Sequence, residues 1–300
     1  MEPAATDKNT WKAAIGDYPR LQRSCRLQWW LWVGICVLAS GIVYGFVSQT
    51  WGISAVVVSV IICLQVTQFL RRKLSRYYKT HIIPQVVEQY CTGGRYNADD
   101  GIDEETFMSS CLFNITPDRY NSEDLIEGCI GKTAFRFSEI VAQQKVTVHT
   151  KNGTGTTWVD IFRGVMFVAD FNKDFKGLTT LVPNSWGRKW LAGRDRVELE
   201  NPQLMKAFLV CSTDQTEARY LLTPALMERI MGLWKRYPKQ LSISFTGSCI
   251  LVARSCSKNH YEAALWRNLR HCLRRDMALI DGMTSIVEEL NMNTRIWSKE

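Results

Sequence analysis

Two stretches of this chain run for nearly the thickness of a bilayer without a charged side chain. They are residues 29–47 and 53–70, the second interrupted by the amides Gln65 and Gln68. As helices they would cover about 27–28 Å each, close to the hydrocarbon depth of a membrane. Two spans joined by the short turn Ser48-Gln49-Thr50-Trp51-Gly52 are the reading that length supports, with Trp51 at the interface. A helical hairpin buried in a soluble core is the alternative, and both runs are long for it. A cleaved leader fits poorly, because the first run starts late, has no A-x-A-like site and meets a second run at once.

The distribution of charge decides the orientation. The formal net charge is +8, which on a soluble surface would point to nucleic acid. However, residues 20–79 hold eight Lys and Arg and no acid, whereas residues 80–300 are nearly neutral. Arg20, Arg23 and Arg26 precede the first run; Arg71, Arg72, Lys73, Arg76 and Lys79 follow the second; the turn between them is uncharged. Lysine and arginine flanking spans are retained on the cytoplasmic side, so both termini are expected in the cytoplasm. The Asn114-Ile115-Thr116 and Asn152-Gly153-Thr154 triplets then carry no glycosylation meaning. Ten cysteines without paired spacing read as apolar residues or inert thiols in a reducing compartment.

Beyond the hairpin, Leu70, Leu74, Tyr77, Tyr78 and Ile82 keep helical spacing until Pro84 bends or ends the helix. Residues 92–105, rich in Gly, Asn and Asp, read as an exposed acidic loop. Calcium-loop spacing fails there, since Tyr96 and Ala98 would occupy the first two ligand positions. From Phe107 to Val182 the pattern is that of strands, with a turn at residues 172–177. Residues 241–245 and 249–253, separated by Thr246-Gly247-Ser248, read as a hairpin. Helices are expected over 223–237, with Pro224 near the start, and over roughly 259–290. Along the latter, Arg267, Arg270, His271 and Arg274 read as a solvated face. Strands and helices that do not alternate argue for α+β.

Several segments together resemble a bacterial family, number 3137 of the domains of unknown function. They are Asp124-Leu125-Ile126-Glu127-Gly128 followed by Phe135-Arg136-Phe137-Ser138-Glu139; Ile161-Phe162-Arg163-Gly164 with Ala169-Asp170-Phe171-Asn172; and Glu217-Ala218-Arg219-Tyr220-Leu221-Leu222-Thr223-Pro224. Their order covers roughly residues 80–255. The resemblance implies a bacterial inner-membrane protein with a cytosolic domain, and it brings no catalytic residues.

The search for chemistry returns mostly fragments. Gly128-Cys129-Ile130-Gly131-Lys132-Thr133 lacks the four residues a phosphate loop needs between its glycines, and a strand rather than a helix follows it. His81, His149, His260 and His271 are scattered, no C-x-x-C, H-E-x-x-H or G-x-S-x-G is present, and His271-Cys272 are adjacent on a helix and diverge. Glu139, Asp160, Asp170 and Asp174 would form a general acid and base only if strands brought them together; turn and strand-edge roles compete with that reading. Trp186 to Arg196 joins two tryptophans to four cations, read first as a loop anchored on the core and second as a lipid contact.

The expectation is an α+β protein with four parts: a cytosolic N-terminal tail at 1–28; a transmembrane hairpin at 29–70, with spans 29–47 and 53–70; a juxtamembrane helix at 71–90; and a cytosolic domain of antiparallel strands with flanking helices at 91–300. Its function is read as a non-catalytic interaction module at the inner leaflet that binds a membrane-associated protein partner or lipid headgroups, and not nucleic acid. The lipid-headgroup candidates are Arg71, Arg72, Lys73, Arg188 and Lys189. The alternative is a membrane-proximal enzyme using a carboxylate cluster of Glu139, Asp160 and Asp170. No catalytic, metal or cofactor residue is assigned.

Overall fold

The computed structural model describes residues 15–46, 49–150, 153–184, 195–257, 259–263, 265–290 and 292. The chain divides into two compact units. One comprises Met1–Val86 with Tyr261–Met277, the other Val87–His260 with Ala278–Glu300.

In the first unit, α1 (Tyr18–Phe46) and α2 (Gln49–Tyr77) form an antiparallel pair, and a π-helical turn (Tyr78–Ile82) carries α2 into α3 (Ile83–Tyr90). Helical structure therefore continues through Pro84. Its missing N–H falls where the pattern has already loosened from i+4 to i+5, and the Ile83 N–H reaches back to the Tyr78 carbonyl. Helix α1 starts eleven residues before the uncharged run, so Arg20, Arg23 and Arg26 are helical. Leu70, Leu74, Tyr78 and Ile82, spaced by four, form the buried stripe that their periodicity predicts.

Residues 261–277 complete this unit. The fully buried Asp276 accepts a hydrogen bond from the Tyr78 hydroxyl at 2.9 Å and another from Arg275 Nε at 2.9 Å. Glu262 accepts from Ser75 Oγ at 2.9 Å and pairs with Lys79 at 3.5 Å. Helix α8 (Leu269–Glu289) starts here and continues into the second unit. The expected helix from 259 is thus ten residues too long. Residues 259–263 and 265–268 are irregular, and Tyr261, Ala263 and Leu265 are buried without helical regularity.

The second unit is an antiparallel sheet. Its strands are β1 (Thr92–Asn97), β2 (Arg119–Ile130), β3 (Thr133–Thr150), β4 (Gly153–Pro183), β5 (Asp195–Arg196), β6 (Phe208–Ser212) and β7 (Leu241–Ser255). The order is β1-β2-β3-β4-β6-β5, and β7 pairs along the other edge of β4. Between the strands lie α4 (Glu104–Ser109), α5 (Pro202–Ala207), α6 (Gln215–Leu221) and α7 (Pro224–Arg236). Side-chain caps from Asp103, Asn201, Asp214 and Thr223 start these four helices. Gly131 and Lys132 make the two-residue turn from β2 to β3, which is the structural role of the phosphate-loop fragment.

The α+β class holds, but two expected reversals do not. Residues 172–177 and 246–248 carry turn chemistry, yet β4 and β7 each run through these points. The two irregular segments meet each other, with Phe175 opposite Gly247, and register shifts flank that pair. Phe171, Phe175 and Phe245 cluster around the bend with ring centroids 5.3–5.7 Å apart. Glycine and short polar residues release the backbone from a flat ladder; whether the chain then bulges or reverses depends on the neighbouring strand. Similarly, the expected loop at 92–105 contributes β1 at the sheet edge, and Phe107 belongs to a short helix rather than a strand.

One face of the sheet buries Ile140, Phe162, Met166, Leu209 and Leu251, and Ile102, Phe107, Leu112 and Phe113 from the β1–β2 connection complete that core. Helices α7 and the later turns of α8 are joined by Arg236, which reaches Glu289 at 2.6 Å and Ser285 at 3.0 Å.

Candidate functional site: an aromatic and basic collar on an exposed apolar hairpin

The apolar windows of both candidate spans are only 6% buried. Leu31, Ile35, Leu38 and Ile42 on α1, and Val57, Ile61 and Leu64 on α2, face outward. A hairpin buried in a soluble core would cover these side chains, which here are exposed. Inside the pair, small and polar residues hold the helices together. Ser40 and Ser59 share a hydrogen bond at 2.9 Å, and Trp29 Nε1 donates to Thr67 Oγ1 at 2.9 Å. Among the described residues, these are two helices long and apolar enough to cross a membrane.

Cations crowd the end of the pair where α1 begins and α2 ends. Arg20, Arg23, Arg71, Arg72, Lys73 and Arg76 are all exposed. The headgroup candidates Arg71, Arg72 and Lys73 therefore sit at the solvent-facing foot of α2, directly after the uncharged run. Arg188 and Lys189 lie outside the described residues, as does most of the Trp186–Arg196 stretch.

Sequence reasoning missed a third contributor to this collar. Gln22 Nε2 donates to the carbonyls of Leu265 and Arg267 at 3.2 and 3.0 Å, and Arg26 Nε donates to the Leu265 carbonyl at 2.9 Å. These three bonds fix Trp266 against α1. Its ring lies 5.2 Å from that of Trp29 and 6.3 Å from that of Trp30, edge-on to both, with the Arg26 guanidinium 5.6 Å from its centroid. Trp266 is still 52% exposed and Trp30 59%. The signal available in sequence is the Trp266-Arg267 pair, an aromatic beside a cation, which the helical periodicity expected over 259–290 hides.

The acids meet differently than the carboxylate hypothesis required. Asp160 and Asp170 lie ten residues apart on β4, roughly 30 Å along a strand. Asp160 is held by Arg163 Nε and Gln143 Nε2, each at 2.7 Å, and these hydrogen bonds, Arg163 first, keep its carboxyl below the usual range. Asp170 is half-buried opposite Cys249, and Asp174 is exposed. Glu139, on β3, instead joins Glu123 and Asp124 of β2, with one carboxylate oxygen from each within 4.8 Å of the others. Adjacent strand residues normally face opposite sides. Here the bulge between Glu123 and Ile126, with Asp124 at φ 62°, turns two neighbours toward one point.

Glu123 and Glu139 line a cleft of about 160 Å³ with Asn121, Arg163, Cys256 and Asn259. The negative charge is met from within the protein: the His260 backbone N–H donates to Glu139 at 2.8 Å, and the Tyr96 hydroxyl donates to Asp124. Glu123, Asp124 and Glu139 are the donors a hard cation would use. The cleft brings carboxylate, guanidinium and thiol groups together.

Residues 160–292 match the family described as Protein of unknown function (DUF3137). The resemblance drawn from the sequence is borne out over that segment. The DUF3137 match takes in the later part of β4 and everything through α8. It includes two of the three motif groups quoted above and leaves Asp124–Gly128 and Phe135–Glu139 outside. No curated protein matches this chain. Among solved structures, it is similar to the crystal structure of the mycobacterial trehalose monomycolate transport factor A, TtfA. The identity is 13% and the TM-score 0.39, covering 73% of this chain and 97% of that one. At that identity and score the likeness carries no argument about function.

Proposed function

We propose that this chain is a membrane-anchored interaction module of the bacterial inner membrane. The hairpin at 29–70 crosses the bilayer twice, both termini lie in the cytoplasm, and the α+β domain at 91–300 is tethered at the inner leaflet, where it binds a membrane-associated protein or lipid headgroups. One observation carries the reading: two helices whose uncharged runs are of near-spanning length leave the apolar surface of those runs almost wholly exposed, with eight cations and no acid in residues 20–79. Water would leave that surface strongly unfavourable, at roughly 25 cal/mol per Å² of apolar area, and a bilayer removes the penalty. Tethering also raises the effective concentration of the domain toward anything at the same membrane.

The test uses the full chain. It should stay in the membrane fraction after carbonate washing, and a C-terminal alkaline phosphatase fusion should be silent while a C-terminal fluorescent protein is bright. Active phosphatase at the C-terminus, or release by carbonate, would overturn the reading. The enzymatic alternative turns on the cleft at Glu139. If Glu139→Gln abolished cellular function with abundance, membrane retention and co-purifying partners unchanged, a carboxylate-based enzyme would replace the binding module.

A further inference from the structure

Trp266 belongs by sequence to the C-terminal third of the chain, yet it stands at the height on α1 where the uncharged run begins. Trp29 is the first residue of that run, and its bond to Thr67 marks the same level on α2. Trp266 meets Trp29 and Trp30 there, more than half exposed. Its height is imposed, because Gln22 and Arg26 hold the backbone on both sides of it through the Leu265 and Arg267 carbonyls. The exposed face continues the apolar surface of Leu27, Trp30 and Leu31. Arg23, Arg71, Arg72, Arg267 and Arg270 are exposed in the same unit. The acid next to this segment, Glu262, is engaged by Ser75 and Lys79.

We propose that Trp266 and Arg267 dock on the bilayer that the hairpin enters, with the indole at the boundary between hydrocarbon and headgroups and the guanidinium toward lipid phosphate. Trp266 and Arg267 are then a second lipid contact, separate in sequence from the anchor and clamped to it. The inference rests on the membrane reading above and adds a residue-level depth to it. Three features favour a lipid surface over a protein occupant. The exposed ring is continuous with the candidate spans. An indole with an apolar body and a polar N–H suits the interface. The surrounding charge is positive and complements anionic headgroups, each cation near the surface being worth roughly 1 kcal/mol.

Fluorine NMR of the full chain, labelled with fluorotryptophan and placed in nanodiscs of phosphatidylcholine and phosphatidylglycerol, reads that depth directly. Trp266→Phe and Trp30→Phe assign two resonances, Trp30 lying on α1 within the uncharged run. A lipid spin-labelled high on its acyl chain should broaden both severalfold, and a water-soluble gadolinium chelate should broaden both far less. If the chelate broadens Trp266 and the lipid label does not, while Trp30 follows the lipid label, the docking proposal fails and the anchor stands. If neither Trp30 nor Trp266 senses the lipid label, the anchor itself fails. Shielding of Trp266 from both probes would mean that protein covers it, a second copy or a partner, and would also overturn the proposal.

Discussion

Gly164 has no room for a β-carbon. One built there would lie 2.1 Å from the Arg254 carbonyl oxygen, because β4 and β7 close tightly at the Gly164–Ser255 pair. The obstacle is backbone and cannot swing aside, so Gly164→Ala should cost about 1–3 kcal/mol, read as a lower unfolding midpoint of the detergent-solubilised chain. Gly232, in α7 with nothing within 4 Å, is the opposite case. There Gly232→Ala should stabilise by roughly 0.5–1 kcal/mol in the same measurement, since only the entropic cost of glycine is removed. Asp160 predicts a pH dependence. Its folded carboxyl titrates below the usual value through Arg163 and Gln143, so its contribution is present above about pH 4 and is lost as pH falls through the folded pKa. The pair is about 40% exposed, with the side chains at 41% and 39%, which limits the effect to at most about 1 kcal/mol. Stability curves of the wild type and Asp160→Asn should differ at neutral pH and converge in acid; parallel curves would show that the pair contributes nothing.

At the scale of the element, the bent strand pair is the feature most open to test. Gly247 sits at φ 57°, opposite Phe175, where β4 and β7 kink together. An L-residue in that left-handed region costs roughly 1–2 kcal/mol, so Gly247→Val should destabilise by at least that much, and hydrogen exchange should accelerate at Phe171, Phe175 and Phe245 before the rest of the sheet. A uniform acceleration would mean that the bend is no separate weak point. The same pair shows why sequence misjudged these segments. Asn172, Lys173 and Asp174, and Thr246-Gly247-Ser248, are residues that leave the extended conformation easily. That local permission is common to turns and bulges, and the long-range pairing of β4 with β7 chose between them. Helix α7 was legible because its information is local: a Thr223 cap, Pro224 in the first turn and an apolar stripe through Leu226, Ile230 and Leu233.

For the whole molecule, the charge asymmetry about the hairpin makes a directional prediction. Replacing Arg71, Arg72 and Lys73 with glutamine and adding lysines at the connection between α1 and α2 should invert the chain in a fraction of molecules, because orientation follows the cation bias at span ends. The readout is a C-terminal alkaline phosphatase fusion, which should be silent in the wild type under the proposed orientation and active in the inverted fraction. Persistent silence would assign orientation to the folded domain, which would then resist export regardless of the flanking charge.

The sequence alone determined the two apolar helices, the foot of cations, the α+β class and the family resemblance, since each is written in contiguous residues as a run, a period or a spacing. Only the tertiary structure decided that Glu139 keeps company with Glu123 and Asp124 rather than Asp160 and Asp170, and that Trp266 stands beside Trp29 and Trp30. The physical reason is common to both. A bulge at Asp124 reverses side-chain alternation, and three hydrogen bonds from α1 capture a loop more than two hundred residues away; neither a register shift nor a long-range capture leaves a local trace in the order of the amino acids.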